Sequence, residues 1–347
     1  MSVADAGDPP ADARRDRDDA QVDAVIAWVD GSDPAHRERL ARTLAALGIQ
    51  RPATATPTRF DDAGEIDYCI ASIVRHAPWV RRIHVVTDAQ VPPVLRRIAG
   101  TPLAAKVRLV DHREIFAGFE QCLPTFNSRA ICSMLWRIPG LAERYIYFND
   151  DMSLLRPVQA EDFFRDGKVV ARGSWRRQSH AGLGGRAAAA WKRRFAGGAQ
   201  RDTERAAQEL SARMAGFERE YYRIRHVPYP FRRSTLEAYF AGHPDALARD
   251  LAHPFRRPGQ FRAECLAAHL EIASGHAVQD NSLRVVQLKP REQAAWRLRG
   301  KLAGADRDPA TAFACVQSID EASAPMRAAI FAWLDRRIGR PGEILSG

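Results

Sequence analysis

The chain has 347 residues, 46% of them hydrophobic, with a net charge of +10 and a pI near 9.8. That size suits one large α/β domain or two smaller ones with a substantial core, and no apolar run approaches the roughly 20 residues a membrane span needs. Five cysteines (Cys69, Cys122, Cys132, Cys265, Cys315) are scattered with no CxxC pair, which argues against a disulfide framework or a zinc site and for reduced thiols, mostly in the core.

Residues 1–20 are charged, rich in Ala and Pro, and carry no apolar h-region. They read as a disordered tail rather than a signal peptide, so residence in the cytosol is expected. Residues 22–29 (VDAVIAWV) form a strand candidate that runs into Asp30-Gly31-Ser32-Asp33-Pro34. Gly31 permits a tight turn, Ser32 or Asp33 can cap, and Pro34 suits the first position of a helix to about Leu47. After a Pro/Thr loop, Ile66, Ile70, Ile73 and Val74 fall at helical spacing within 64–76. Residues 82–87 form a strand ending at Asp88, 92–98 a short helix, 107–110 a strand ending at Asp111, and 126–138 a helix closed by Pro139-Gly140.

Residues 144–151 (RYIYFNDD) are a run of β-forming side chains that stops at Asn149, Asp150 and Asp151. Adjacent carboxylates repel unless a cation or donors neutralise them. The order β-α-α-β-α-β-α-β thus puts Asp30, Asp88, Asp111 and the Asp150/Asp151 pair at successive strand ends. Such a rim on a mostly parallel sheet is where ligands bind, although Asp is also favoured there simply as a cap. A metal-assisted site that handles phosphate is the first expectation.

Further on, 173–200 reads as a loop and 203–224 as one amphipathic helix, with Ala207, Leu210, Met214, Phe217, Tyr221 and Ile224 on its apolar stripe. The segment RHVPYPFRR (225–233) holds His226, Arg232 and Arg233 between prolines that stiffen the backbone, and HPFRR (253–257) repeats the chemistry with Arg256. A helix over 261–274, strands over 282–288 and 312–316, and a helix over 325–338 complete the chain, with 289–308 polar and without clear pattern. The expected organisation is a tail (1–20), an α/β core (21–170), a mobile basic loop (171–202), and elements completing the active site (203–347).

Four ordered stretches together resemble the Stealth family of sugar-phosphate transferases. They are IAWVDGSDP (26–34), the run from Arg59 to Pro92, LPTFNSRAI with RIPGLAERYIYFNDDMSL (within 123–154), and RHVPYPFRRSTLE with HPFRR. The resemblance implies a mostly parallel open sheet with a Rossmann-like, GT-A-like nucleotide-sugar core and a helical C-terminal part. It also implies transfer of a hexose 1-phosphate from a UDP-sugar to a sugar hydroxyl in capsular or cell-surface polysaccharide synthesis, with UMP leaving. By motif position Asp30 falls on an acid or amide of the first block, Asp150 and Asp151 on a metal-linked pair, and His226 and Arg256 on residues implicated in catalysis. The chain departs from the family at Cys132 (usually Glu), at Trp136 (usually His), and at Gln317 and Ser318, where the fourth block typically has Asn-Asp.

Such a transfer needs charge neutralisation, in-line positioning and a proton acceptor. Asp150 and Asp151 suit Mg²⁺, with Mn²⁺ a substitute. Arg232, Arg233 and Arg256 are expected to stabilise phosphoryl charge, and His226 is the expected base, with Asp30 as its alternate. Trp28, Gly31 and Ser32 are expected to line the uridine pocket. Arg59, Asp88 and Asn149 complete the expected donor contacts. A metal-dependent glycosyltransferase releasing UDP would use the same acids. A nucleic-acid-binding protein would use the positive charge, but no basic motif interleaved with aromatics supports one. The basic balance also suits peripheral contact with the inner membrane leaflet.

Overall fold

The computed structural model describes residues 21–52, 55, 62–181 and 203–346. The expected tail, most of the expected basic loop, and Arg59 lie outside these residues. In chain order the elements are β1 (Val22–Ala27), α1 (Pro34–Leu47), α2 (Glu65–His76), β2 (Ile83–Thr87), α3 (Pro93–Arg97), β3 (Val107–Asp111), α4 (His112–Ile115), α5 (Ser128–Met134), β4 (Arg144–Asn149) and β5 (Met152–Leu154). There follow β6 (Phe164–Arg165), β7 (Lys168–Ala171), β8 (Gly173–Arg177), α6 (Glu204–Met214), β9 (Glu220–Ile224), β10 (Tyr229–Arg232), α7 (Arg233–Gly242), α8 (Pro244–Leu251) and α9 (Ala263–Ala273). The chain closes with β11 (Ala277–Gln279), β12 (Arg284–Leu288), α10 (Ala295–Arg307), β13 (Thr311–Val316), α11 (Ala324–Ile338) and α12 (Pro341–Leu345).

The main sheet has the order β10-β4-β1-β2-β3, parallel except for β10, which runs antiparallel to β4. Its strands are nearly continuous apolar runs because helices or other elements cover both faces. Among their buried polar residues is Asp23, fully buried in β1. It accepts from Arg81 at 2.6 and 2.8 Å, lies 3.1 Å from His84 Nε2, and accepts from the Ala142 amide at 2.9 Å. One acid thereby ties β1 to the segments entering β2 and β4.

A second sheet, β12-β13-β5, grows from the point where the chain leaves β4. The turn at Asp150 and Asp151 redirects the backbone into β5, whose antiparallel partner β13 sets Cys315 opposite Met152. The fold is therefore α/β with a mostly parallel main sheet, as expected, and helices dominate after residue 203.

Three local expectations are corrected. The single helix over 203–224 is α6 followed by β9: Gly216 turns with φ +90° and EYYRI then pairs with β8. Residues 173–177 of the expected loop form β8 itself. The patternless stretch 289–308 contains α10, whose Leu298, Leu302 and Ala305 form a narrow buried stripe. No helix among the described residues is long and apolar enough to cross a membrane.

Candidate active site

The chain order creates a crevice. From β1 the chain steps to β2 and β3 on one side, while β4 lies on the other. Parallel strands whose connections diverge leave a gap at their C-terminal ends. In register Ala27 sits beside Asn149, so Trp28 and Asp150 emerge at the same level. The gap opens into a cleft of about 1350 Å³ whose lining includes Trp28, Glu65, Asp88, Asn149, Asp150, Asp151, His226 and Arg256.

Its floor is acidic. Burial, then the neighbouring charges of Asp151, Glu65 and Asp62, push the Asp150 carboxyl well above the ordinary carboxylate range. Glu65, at the first turn of α2, is pushed up to about 7, chiefly by burial, with Asp62 and Asp151 adding to it. Asp62 is held by the Trp28 indole N–H at 3.0 Å and the Gly64 amide at 2.8 Å. Asp151 Oδ1 is shut from solvent without a hydrogen-bond partner. Among the described residues, no Lys or Arg forms an ion pair with Asp62, Glu65, Asp150 or Asp151. An all-oxygen set with negative charge left over fits a hard divalent cation.

His226 enters from the other side. Antiparallel pairing of β10 with β4 puts Tyr229 opposite Tyr147, their rings stacked at 6.1 Å. The Tyr229 hydroxyl lies 2.7 Å from His226 Nδ1, and Asn149 Nδ2 lies 3.2 Å from His226 Nε2. The Asn149 amide nitrogen can only donate, which infers a neutral ring with Nε2 accepting and the proton on Nδ1, donated to Tyr229. Nε2 is 3.9 Å from Asp151 Oδ2. Arg262 supports Tyr229 from behind, donating to its hydroxyl at 3.3 Å while bound to Glu264. Burial acts to raise the Glu264 carboxyl, and Arg262 more than reverses it, holding it below the ordinary range. The Cys132 thiol points at Glu264 Oε2 at 3.7 Å, so the carboxylate beside Cys132 comes from α9.

The other expected residues separate into groups. Arg256 lines the cleft and donates to Ser128 Oγ at the start of α5. Trp28 and Asn149 line it as well, whereas Asp88 lines it with its carboxylate bound to Arg39 at 2.9 Å. Asp30 closes a turn by accepting from the Ser32 amide at 2.7 Å, and its own backbone is clamped on both sides by Gln90. Gly31 and Ser32 belong to that turn and not to the cleft lining. Asp111 caps α4.

Arg232 and Arg233 are not brought to the site. Arg232 pairs with Arg144 at the start of β4, so five strand steps, roughly 16 Å, separate it from the level of Asn149. Arg232 is bound to Glu271 at 3.0 Å and Arg233 to Glu237 at 2.8 Å. Sequence reasoning passed over Glu65 and Asp62, although both lie within the run from Arg59 to Pro92 that carried the family resemblance. It also missed Cys315, whose thiol lies 3.4 Å from Asp151 Oδ2. Gln317 and Ser318 do line the cleft, so the departures in the fourth block are departures at the site.

Comparison with known proteins adds the following. The model described as Stealth protein CR1, conserved region 1, matches residues 20–48, and that described as Stealth protein CR2, conserved region 2, matches residues 59–171. The exopolysaccharide phosphotransferase SCO2592 of Streptomyces coelicolor is 35% identical over 68% of this chain and 23% of its own length. Exopolysaccharide phosphotransferase CpsY of Mycobacterium tuberculosis is 30% identical over 81% of this chain and 50% of its own. Capsular polysaccharide phosphotransferase cps12A of Actinobacillus pleuropneumoniae is 38% identical over 44% and 40%. The chain thus spans half or less of the length of these relatives. Among solved structures, an active-site mutant of LgtC matches 85% of this chain and 86% of its own at 12% identity and a TM-score of 0.40. Mouse xyloside xylosyltransferase 1 matches 85% and 97% at 11% identity and a TM-score of 0.35.

Proposed function

We propose, from the premise that this chain belongs to the Stealth proteins, that it transfers a hexose 1-phosphate from a UDP-sugar to a glycan hydroxyl and releases UMP. The observation that carries this reading is the juxtaposition in one cleft of an acid cluster that has no ion pair with a Lys or Arg among the described residues and a histidine whose Nε2 accepts a hydrogen bond from Asn149. The relatives' names, exopolysaccharide and capsular polysaccharide phosphotransferases, support the same class of reaction.

Asp150 and Asp151 would hold the cation, Mg²⁺ or Mn²⁺, and Glu65 and Asp62 would deepen the negative field around it. When bound, such a cation supplies charge withdrawal at the donor's phosphates. The protein's own groups do the rest. His226 Nε2 accepts the proton of the acceptor hydroxyl, whose oxygen bonds to the sugar-bearing phosphorus. The bond from that phosphorus to the bridging oxygen breaks, and UMP departs with the electron pair. As His226 becomes charged, Tyr229 keeps its hydrogen bond to Nδ1–H and Asp151 stabilises the imidazolium. Arg256, fixed against Ser128, reaches the phosphoryl oxygens. Trp28 walls the nucleotide side while steadying Asp62. The positive balance of the chain supports peripheral contact with anionic lipid where surface glycans are assembled.

The test is the identity of the nucleotide product. Incubation with a panel of UDP-sugars, Mg²⁺ and an acceptor glycan should release UMP. Release of UDP would mean that the bond from sugar carbon to oxygen breaks, which makes the protein a glycosyltransferase and overturns the reading.

A further inference from the structure

The fourth-block strand brings a thiol to the acid pair. Cys315 Sγ is 3.4 Å from Asp151 Oδ2, and His226 Nε2 is 3.9 Å from the same oxygen. One ligand atom from each of Asp151, His226 and Cys315 lies within 4.8 Å of the other two, and no other such trio occurs among the described residues. A tetrahedral zinc ion with bonds of about 2.0–2.3 Å separates its ligand atoms by roughly 3.3–3.5 Å, so the trio is already close to its coordinating positions.

We propose that Asp151, His226 and Cys315 form a site for a thiophilic divalent cation such as Zn²⁺, distinct in donor chemistry from the all-oxygen site of Asp150 and Asp151. Sulfur, imidazole and a single carboxylate select zinc or cobalt over magnesium. The outer contacts agree. A metal-bound histidine usually donates its second ring N–H to a neighbour, and His226 Nδ1 is already committed to the Tyr229 hydroxyl at 2.7 Å. Burial and the Asp151 charge hold the Cys315 thiol protonated in the metal-free protein, so binding exchanges one proton for the cation: the S–H bond breaks, a sulfur–metal bond forms, and the proton leaves to solvent. Three protein ligands leave a fourth position open. Because Asp151 belongs to both sites and His226 Nε2 is the proton acceptor of the proposed transfer, occupation by zinc displaces the hard cation and removes that acceptor. Zinc is therefore an inhibitor competitive with the hard cation.

Binding is tested without turnover, so the outcome is independent of the transfer reading. Titration of the whole chain with Co²⁺ should give one equivalent bound, intense visible bands of tetrahedral cobalt, and a near-ultraviolet thiolate-to-cobalt band, with one proton released per cobalt. Zn²⁺ should bleach these bands. Cys315→Ser, which leaves the other four cysteines in place, should remove the thiolate band. If that buried substitution prevents folding, His226→Ala, at a side chain 20% exposed, serves instead and should weaken cobalt binding at least tenfold. The proposal is overturned by the lack of a thiolate band in the unmodified chain, by a band that survives Cys315→Ser, or by undiminished binding in His226→Ala.

Discussion

Two aspartates in this molecule, Asp23 in the core and Asp150 in the cleft, are in opposite electrostatic situations. Asp23 is enclosed among donors: burial acts to raise its carboxyl, but Arg81 and His84 outweigh it, bringing it from 3.8 down to about 2. A depressed acid stabilises the fold above its unfolded pKa, and that stabilisation is lost as pH falls through the folded value. The shift corresponds to ~2 kcal/mol at neutral pH. Asp23→Asn should therefore lower the unfolding free energy by ~2 kcal/mol near pH 7. The gap between the two proteins should close as the pH falls from about 4 toward 2, read from urea midpoints across that range. Asp150 has the reverse surroundings, with the acids Asp151, Glu65 and Asp62 around it. Asp150→Asn should abolish divalent-cation-dependent turnover. In chelator it should leave the fold ~1–3 kcal/mol more stable, because a carboxyl whose ionisation is opposed by desolvation and by three neighbouring acids is replaced by a neutral amide. A variant that melts below the unmodified protein in chelator would show that the acids are neutralised by something else.

At the scale of elements, what the sequence made legible depended on how local the cause was. The run VDAVIA, the capping set Asp33-Pro34, and the apolar spacing of α2 are short-range signals, and each element formed where expected. Residues 203–224 misled because Tyr221 and Ile224 fall by coincidence on the helical stripe of α6, although Gly216 breaks the chain between them. α10 escaped because Gly300 and Gly304 and a run of charges obscure a stripe of three apolar residues. Arg232 and Arg233 looked like phosphate ligands through their proximity in sequence to His226. Yet a strand carries successive residues away from its start, and four residues suffice to leave the cleft. The contact between Cys315 and Asp151 depends on β5–β13 pairing across the chain, which no local pattern announces.

The β8–β9 ribbon makes a sharper element-level claim. It delivers Ser174, Arg176, Arg223 and Arg225 to the cleft, and its tight pairing requires Gly173. A Cβ there would meet the Arg223 carbonyl oxygen at 2.4 Å and the Tyr222 ring at 2.8 Å. Gly173→Ala should cost ~1–3 kcal/mol through overpacking. Because the ribbon bears cleft arginines, it should also raise the KM for donor more than it lowers kcat. Equal stability and an unchanged KM would mean that the ribbon is not held as described.

The whole molecule has one principal core. A single cluster of buried apolar residues runs from Val22 through the strands of both sheets to Leu345. Helix α11 is fastened to α2, next to the acid cluster: Tyr68 donates to Asp335 at 2.7 Å and stacks on Phe331 at 5.4 Å. Trp333, fully buried, donates to Asp306 of α10 at 2.8 Å. The expected division into a nucleotide-binding core and a later completing part thus describes chain order, because β13 and α11 pack on the elements that carry Asp151 and Glu65. Trp333→Ala should cost ~3–5 kcal/mol, as emptying a core site of this size does. The urea transition should move as one, with far-ultraviolet circular dichroism and divalent-cation binding lost together in the unmodified and substituted proteins alike. If α11 formed a separate unit, Trp333→Ala would split the transition, with an early step that leaves cation binding intact. Coincidence of the two signals at a lowered midpoint is the result that a site built from both ends of one core requires.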